Sequence, residues 1–474
     1  MFWKGSVFMN TLPIVLDLNS GKHLYEQIYE YIKNEISAGK LPRGQKLPSA
    51  RSLAEYLQIS RSTVDLAYEQ LLSEGYLEAV ERKGFFVQTS EDMLRLPIPK
   101  RKEKSSGETK EKSYLYDFSP NGLDKASFPF ETWKKINKEI LSANGREMFL
   151  SGDPKGELEL RQTIQQYLYV SRGVECDPQQ IIVGAGNDYL LLLLEKILGE
   201  NKTVAMEIPS YPKAHRIFKN CSYNVVDIPM DEQGMNVEKL QNSNADLVYV
   251  MPSHQFPTGI VMPIGRRMEL ILWASQKEDR FIIEDDYDSE FRYRGRLIPA
   301  LQGAGGMEKV IYIGTFSKSI APSIRISFMV LPNNLLEVYE QKAAFYSSTV
   351  SRMEQKVLSE FMSGGYFERH LNRCRKIYKE KHDFLLMECK GLQSLFTVTG
   401  ENAGLHIVLH CKKEISEEVL VDKAAGVGVR VYGMHQYSEN KSMDQEAKIL
   451  LGYGGMSVQE IHLGMEKLKE AWKL

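Results

Sequence analysis

Residues 311–325 read Ile-Tyr-Ile-Gly-Thr-Phe-Ser-Lys-Ser-Ile-Ala-Pro-Ser-Ile-Arg, and the rest of the chain is organised around this stretch. It begins as an apolar strand that ends at Gly314, and a turn rich in Thr and Ser follows, with Lys318 inside it. An amine that is partly desolvated in such a turn has a lowered pKa and can form an imine with an aldehyde. Arg325 and the hydroxyls of Thr315 and Ser317 offer a fixed cation and donors suited to a phosphate ester. The stretch alone is weak evidence, because most lysines in Ser-Lys pairs are solvated loop residues.

A second stretch, Phe281-Ile-Ile-Glu-Asp-Asp-Tyr287, is also an apolar run closed by acids. It predicts a buried strand that delivers a carboxylate at its carboxyl end, the edge at which open α/β sheets bind ligands. Asp285 can pair there with a pyridinium nitrogen, and Tyr287 can donate to a ring hydroxyl. With Lys318 as the Schiff-base lysine, the two stretches predict a pocket for pyridoxal 5′-phosphate (PLP).

Length and composition narrow the class of protein. A chain of 474 residues is too long for one average core, so we expect two or more domains. The content is 43% hydrophobic and 26% charged, and no apolar run approaches the roughly 20 residues of a membrane span. The first residues lack a signal-peptide core, so we expect a cytoplasmic protein. The five cysteines are dispersed and form no Cys-x-x-Cys pair, which argues against a disulfide framework and against a metal site.

Residues 14–88 predict a small helical domain. Apolar residues at helical spacing indicate an amphipathic helix over about 24–38. Ser49 and Ser60 can cap two further short helices joined by a tight link, which is the pattern of a helix-turn-helix. The segment 76–87 predicts a hairpin, which would be the wing.

The exposed starts of the second and third helices carry candidate DNA-binding residues. The N-terminus of a recognition helix can meet base edges and phosphates, and Arg61 is the best candidate for reading a base. The full set is Arg51, Ser60, Arg61, Thr63 and, at the tip of the hairpin, Gly84. A protein-binding module remains an alternative, because residues 1–90 hold ten Lys/Arg and ten Asp/Glu and net charge does not decide the matter.

Residues 89–114 have little periodicity and much charge, and they predict a flexible linker. In residues 115–474, β-rich runs alternate with helical patterns, which predicts an α/β fold with a largely parallel sheet and helices on both faces. The predicted strands are 181–183, 203–206, 247–251, 281–283, 310–313 and 326–330. Beyond about residue 335 we expect a smaller α+β part.

The first of these strands runs into Gly184-Ala-Gly-Asn187 and a Leu-rich helix. Free backbone N–H groups at the start of a helix can seat a phosphate. Gly186 and Asn187 therefore join the candidate cofactor residues, since Thr315, Ser317 and Arg325 call for a phosphate independently.

Several of these segments resemble known families. The two stretches around Lys318 and Asp285 resemble those of fold-type I aminotransferases. The segments Leu24–Ile28, Leu47–Arg51, Ser60–Val64 and Glu74–Tyr76 are similar to the winged-helix pattern of the GntR family. Together they are similar to the MocR/GabR subfamily of GntR-type transcriptional regulators.

The resemblance implies a fold class and further roles. We expect an N-terminal winged helix-turn-helix, a linker, and a PLP-dependent aminotransferase-like domain of fold type I with large and small parts. The family positions that match Arg51, Arg61, Thr63 and Gly84 touch DNA. Tyr211, in Glu207-Ile-Pro-Ser-Tyr211, takes the role of the aromatic residue that stacks on the cofactor ring. A homodimer is also implied, with winged helices that could cross over to the other subunit.

Two departures from the aminotransferase pattern bear on activity. The asparagine that bonds the ring hydroxyl is absent from residues 252–259, where Gln255 or His254 could substitute. Residues 449–453 have Leu where many relatives carry a carboxylate-binding Arg. This leaves Arg430 as the nearest candidate for binding an effector, with Lys213 and Arg216 as possible partners.

The sequence therefore predicts a PLP-dependent DNA-binding regulator that senses a small amine or amino acid through an aldimine at Lys318. A catalytically active aminotransferase with a DNA-binding domain is the alternative, and PLP itself as the sensed ligand is a third hypothesis.

Overall fold

A computed structural model describes residues 12–17, 20–88, 114–144, 146–293, 295, 298–438 and 446–473. The chain divides into two compact units, Met1–Glu111 and Lys112–Leu474, and each is considered by itself. Of the predicted linker 89–114, all but the last residue lies outside the described residues. Nowhere in the described ranges is there a helix with the length and apolar character needed to cross a membrane.

In residues 12–17 and 20–88, the described part of the first unit, the structure has three helices and a hairpin, as the sequence predicts. The elements are α1 (Leu24–Ser37), α2 (Ala50–Leu57), α3 (Arg61–Ser73), β1 (Leu77–Val80) and β2 (Gly84–Val87). The hydroxyl of Ser49 accepts a hydrogen bond from the Ser52 N–H, and that of Ser60 accepts one from the Thr63 N–H. Gln58, with a φ of 54°, makes the tight turn between α2 and α3. Caps and turn together fix the helix-turn-helix geometry.

One apolar core holds the three helices and the hairpin together. Ile28, Ile32 and Ile36 of α1 are fully buried against α3 and the hairpin. Burial of a side chain of this size stabilises a fold by roughly 1.5–3 kcal/mol. In the hairpin, Val80 pairs with Gly84, and a φ of 107° at Gly84 closes the turn in a conformation that favours glycine.

The second unit is built on an eight-stranded sheet. Its strands are β4 (Ile181–Gly184), β5 (Thr203–Ile208), β6 (Asn224–Asp231), β7 (Gly234–Met235), β8 (Leu247–Val250), β9 (Phe281–Asp286), β10 (Val310–Thr315) and β11 (Ser327–Val330). Their order is β4-β11-β10-β9-β8-β5-β6-β7. All six predicted strands are present, and the sequence reasoning missed β6 and β7.

The sheet is largely parallel, with one inverted strand in its interior. Strand β11 runs antiparallel to both β10 and β4, and β7 runs antiparallel to β6. The start of β11 therefore lies at the same edge as the carboxyl ends of β4, β9 and β10. Alternate strand residues pack into separate apolar clusters, Ile283 and Ile311 in one and Ile282 and Val310 in another, so both faces of the sheet are covered.

Helices and a small sheet complete the second unit. The helices are α4 (Phe130–Asn144), α5 (Leu158–Arg172), α6 (Asn187–Leu198), α7 (Pro212–Asn220), α8 (Val237–Gln241), α9 (Ile264–Ser275), α10 (Leu336–Lys342), α11 (Arg352–Ser363), α12 (Tyr366–Cys389), α13 (Glu417–Gly426) and α14 (Val458–Ala471). The remaining strands are β3 (Tyr116–Asp117), β12 (Phe396–Thr399), β13 (His406–Cys411), β14 (Val429–Arg430), β15 (Tyr432–Gly433) and β16 (Lys448–Gly452). Strands β12, β13, β16 and β15 form the small sheet, and β3 pairs with β14. The part after residue 335 is thus α+β, as predicted.

Candidate functional site

A cavity of about 150 Å³ lies at the edge of the large sheet where β9 and β10 end. We call it the sheet-edge cavity. Of the nine predicted cofactor residues, eight line it, and they are Asn187, Tyr211, Asp285, Tyr287, Thr315, Ser317, Lys318 and Arg325. The cavity is completed by Asn121, Asp188, Lys213, Met251 and Phe256. The ninth predicted residue, Gly186, is not among the lining residues but lies next to Arg325.

Lys318 lies in the turn after β10, where its amine is largely shielded from water. Burial lowers the pKa of Lys318 to about 8. Its ammonium donates to the Pro120 carbonyl at 3.2 Å and to Asn121 Oδ1 at 3.1 Å. An amine with this pKa is partly neutral near pH 7, which is the state that attacks an aldehyde.

Asp285 lies on the fully buried strand β9 and is held by two neighbours. Asn187 donates its amide N–H to Asp285 Oδ2 at 2.7 Å, and the hydroxyl of Tyr249 donates to the same oxygen. Burial raises the pKa of Asp285 to about 6. A carboxylate in this setting favours a protonated ring nitrogen as its partner, because a nearby cation offsets the cost of burying the charge.

The inversion of β11 assembles a corner of the cavity that could bind a phosphate, which we call the phosphate-binding corner. Arg325 stands just before that strand, so its guanidinium reaches the start of α6, where Nη2 donates to the Ala185 carbonyl at 3.1 Å and pairs with Asp188 at 3.3 Å. A Cβ added at Gly186 would come within 2.2 Å of Arg325 Nη2. The hydroxyls of Thr315 and Ser317, 3.0 Å apart, lie in the same cavity wall. The guanidinium of Arg325, the two hydroxyls and the N-terminus of α6 therefore lie together, which is the arrangement that an anion-binding site requires.

Aromatic rings form the remaining wall. Phe256 packs edge-on against Tyr211 and Tyr287, with ring centroids 6.1 Å and 6.0 Å away. Burial raises the pKa of Tyr211 to about 12 and that of Tyr287 well above its ordinary value. Both phenols therefore stay protonated and can donate hydrogen bonds.

Residues 252–259 lack the asparagine that bonds the ring hydroxyl in aminotransferases. The two residues that could replace it, Gln255 and His254, have other partners. Gln255 donates to the Pro209 carbonyl at 2.9 Å and accepts from the Thr258 N–H at 3.0 Å. His254 contacts Tyr287 and Asp288. Neither lines the sheet-edge cavity, and Phe256 is the residue of this segment that does.

The two predicted effector-binding residues are not brought together. Lys213, in the first turn of α7, lines the sheet-edge cavity and pairs with Asp188. Arg430 lies instead on β14, half exposed, 3.7 Å from Asp117, and is not among the residues that line the cavity. The expectation for Arg430 came from its position in the sequence, which does not show that β14 pairs with β3.

The five candidate DNA-binding residues lie on the helix-turn-helix and the wing of the first unit. Arg51 and Arg61 are exposed in the first turns of α2 and α3, where each pairs with an acid four residues ahead, Glu55 and Asp65. Ser60 and Thr63 form the cap of α3, with their hydroxyls 2.7 Å apart. Gly84 begins β2 at the hairpin tip.

Sequence reasoning missed several residues of the site. Asp188 directly follows the predicted segment Gly184–Asn187, and Asn121 lies seven residues after the predicted linker. No local pattern marks either of them as a cavity residue. Tyr249 lies within the apolar run 247–251, which predicts a strand but no role in the site. A Tyr in a run that is otherwise aliphatic was the available signal, because a buried phenol needs a hydrogen-bond partner.

The arrangement fits PLP. A lysine with a lowered pKa, a buried carboxylate, phenol donors and an arginine-lined helix start correspond to its aldehyde, ring nitrogen, ring hydroxyl and phosphate. The buried Oδ1 of Asn187, which finds no partner among the described residues, points to a group that the protein does not itself supply.

Comparison with known families supports both units. Residues 24–87 match the bacterial regulatory proteins of the gntR family, and residues 117–445 match aminotransferase class I and II. The second match alone spans more than half of the chain.

Relatives with both units cover nearly the whole chain. The uncharacterized HTH-type transcriptional regulator YdeL of Bacillus subtilis (strain 168) is 40% identical over 95% of this chain and 97% of YdeL. The probable rhizopine catabolism regulatory protein MocR of Rhizobium meliloti is 32% identical over 97% of this chain and 96% of MocR. The crystal structure of Pyrococcus horikoshii kynurenine aminotransferase in complex with PMP superposes with a TM-score of 0.67 at 26% identity, over 76% of this chain and 91% of that one.

These matches confirm the predicted fold class, the cofactor PLP and the binding of operator DNA. The chain therefore belongs to the MocR/GabR-type subfamily of GntR transcriptional regulators, in which a winged helix-turn-helix is joined to a PLP-binding aminotransferase-like domain.

Proposed function

We propose that this regulator senses a small amine or amino acid in the sheet-edge cavity and responds with a change in operator binding. Lys318 holds PLP covalently through Nζ, and Asp285 faces the ring nitrogen. Arg325, with the hydroxyls of Thr315 and Ser317, holds the phosphate. Tyr211 covers the ring, and Tyr287 donates to the ring hydroxyl.

A third cationic side chain in the cavity, beside those of Lys318 and Arg325, carries this proposal. Lys213 lines the same space as Lys318, and its ammonium is held by Asp188. An amino acid presents an amine, which can displace Lys318, and a carboxylate, which can bind Lys213. PLP supplies an aldehyde that can exchange one amine for another.

The hydrogen bonds of the free Lys318 amine can couple effector binding in the cavity to the segment that follows the linker. In its unbonded state it donates to Pro120 and Asn121, which lie close behind the predicted linker in the sequence. These two hydrogen bonds are lost when Lys318 holds the cofactor and are formed when an effector displaces it. The effector thereby changes the hydrogen bonds of the segment around Pro120 and Asn121, which follows the linker. A ligand can shift an equilibrium only if it interacts differently with the two states, and these hydrogen bonds supply such a difference.

A homodimer fits the surface beside the cavity. The rings of Phe345 and Tyr346 are tilted by 36°, with centroids 4.2 Å apart, and the two residues are 73% and 39% exposed. They are followed closely by Thr349, whose hydroxyl accepts from the Ala185 N–H in the phosphate-binding corner. Exposed aromatic residues of this size commonly mark a protein interface, and a second subunit placed here would cover the cavity. We further propose that the protein acts in the cytoplasm.

Titration with candidate amines and amino acids tests the proposal. The absorption of the bound cofactor and the affinity for operator DNA are followed together in wild type and in Lys213→Ala. The variant should keep cofactor and operator binding but lose the response to amino acids. Lys219→Ala, an exposed change on the same helix that does not line the cavity, should respond as wild type does.

Two results would refute the proposal. A Lys213→Ala protein that responds like wild type removes Lys213 from effector binding. Rapid conversion of amino acids to keto acids with no change in operator binding would favour the alternative, an active aminotransferase that carries a DNA-binding domain.

A further inference from the structure

His254 is a buried histidine with an unusual division of partners between its two ring nitrogens. Its side chain is 1% exposed. Nδ1 lies 2.9 Å from Asp288 Oδ2 and 2.9 Å from the hydroxyl of Tyr287. Nε2 is buried and has no hydrogen-bond partner among the described residues. The location of the ring proton therefore decides which way the hydrogen bonds of Tyr287 run.

Two glycines pack against the His254 ring. A Cβ added at Gly404 would lie 1.9 Å from Cε1, 2.4 Å from Nδ1 and 2.7 Å from Nε2, and one added at Gly259 would lie 3.4 Å from Nε2. The nearest other imidazole, that of His406, donates from its own Nε2 to the Pro257 carbonyl at 2.9 Å. Burial lowers the pKa of His406 to about 3, so that ring is neutral.

The proton of His254 belongs on Nδ1 for two reasons. A bare Nδ1 would direct its lone pair at the Asp288 carboxylate, which repels it. A proton on Nε2 would be a buried donor without an acceptor, and such donors are rarer in proteins than unfilled acceptors. With the proton on Nδ1, the ring donates to Asp288 and cannot accept from Tyr287.

We propose that Asp288 and His254 form a positioning pair that keeps the Tyr287 hydroxyl proton directed to the sheet-edge cavity. The pair denies Tyr287 the imidazole as an acceptor, while both carboxylate oxygens of Asp288 lie within 3.2 Å of Nδ1. Tyr287 lines the cavity, and the Asp288 carboxylate is also within hydrogen-bonding reach of its phenol. The Nδ1–H of His254 occupies that carboxylate, which leaves the Tyr287 O–H to a bound ring oxygen. His254 does not itself touch the cavity. This inference rests on the proposed role of Tyr287 as a donor to the cofactor.

The first test reads the tautomer directly, with or without cofactor. Protein labelled with ¹⁵N-histidine is compared with His254→Gln to assign the two ring nitrogens. We expect a protonated, pyrrole-type Nδ1 and an unprotonated, pyridine-type Nε2. The opposite pattern, or a doubly protonated ring, would overturn the inference.

The second test asks whether His254 acts through Tyr287. A donor to the ring oxygen favours the ionised cofactor, so its loss should raise the midpoint of the absorbance titration, by roughly one pH unit. Tyr287→Phe and His254→Gln should each raise it, since a glutamine amide oxygen can accept the phenol proton. In the double variant the two shifts should not add.

Additive shifts, or no shift in His254→Gln, would overturn the inference. Asp288→Asn provides a second perturbation of the pair if His254→Gln does not fold, and it is held to the same non-additivity with Tyr287→Phe. Failure of the proposed function is distinguishable, because it would appear as wild-type operator binding that does not respond to amino acids, whereas the histidine tautomer and the titration midpoints do not depend on that response.

Discussion

Replacement of Lys318 by Met should abolish covalent attachment of the cofactor and, at the same time, stabilise the cofactor-free protein. Burial lowers the pKa of Lys318 from 10.5 to about 8, so folding places an ammonium where it is poorly hydrated. The difference corresponds to roughly 3 kcal/mol, at about 1.4 kcal/mol for each pH unit. Because the side chain is partly open to the cavity, we expect roughly 2 kcal/mol. Met keeps a similar length and carries no charge.

The effect has a defined dependence on pH. Between pH 8 and 10.5 the lysine of the folded protein has lost its proton while that of the unfolded chain retains it. The unfolded state then binds more protons, so the stability of cofactor-free wild type rises with pH across this window. The penalty is fully present below about pH 8. Lys318→Met lacks it, and the two proteins should therefore differ most at pH 7 and converge only above about pH 10.5.

Urea unfolding of the cofactor-free proteins, followed by tryptophan fluorescence, measures this difference. Three of the four tryptophans, Trp133, Trp273 and Trp472, lie in the second unit, so the signal reports mainly on that unit. Lys138→Met, an exposed change on α4, is the matched control and should be close to neutral. A Lys318→Met protein that is less stable than wild type at pH 7, or a difference that does not shrink as pH rises, would refute the reasoning.

Three other predictions concern DNA and the cofactor. Arg61→Ala should cost roughly 1–3 kcal/mol at the base it reads and relax sequence preference; competition among operator variants measures this, and unchanged discrimination would exclude the role. Gly186→Ala should displace the Arg325 guanidinium and weaken cofactor binding about tenfold, because one charge-assisted hydrogen bond is lost. The control Gly265→Ala, whose added Cβ meets no atom within 4 Å, should leave cofactor binding unchanged. Asp285→Asn should weaken cofactor binding, and wild-type affinity should itself fall as pH drops through about 6, since the carboxylate becomes protonated there; a flat profile from pH 5 to 8 would contradict this.

The parts of the site that could be predicted are those encoded locally. Lys318 and Asp285 each follow an apolar run within a few residues, and strand ends at one edge of a parallel sheet meet whatever the details of packing. The caps Ser49 and Ser60 were equally readable, because a cap and the N–H group it satisfies are neighbours in sequence.

The parts that could not be predicted depend on contacts between distant segments. Asn121 meets the Lys318 amine across 197 residues of chain, and no local pattern records that contact. The inversion of β11 brings Arg325 to the start of α6, yet alternation of helices and strands predicts only parallel neighbours. The prediction that Arg430 lines the cavity was wrong because the pairing of β14 with β3, which joins distant parts of the chain, decides where Arg430 lies.

Asp188 gives the cavity its own resident anion. It holds Arg325 and Lys213 at once, the two cations to which the phosphate of the cofactor and the carboxylate of an effector are assigned. If Arg325 binds the phosphate of the cofactor, as proposed, Lys213 would be the cation that remains to Asp188. An arriving carboxylate must therefore compete with an acid that is already in place. Under the proposed function, Asp188 therefore lowers the affinity of Lys213 for an effector carboxylate and raises the concentration of amino acid at which the regulator responds.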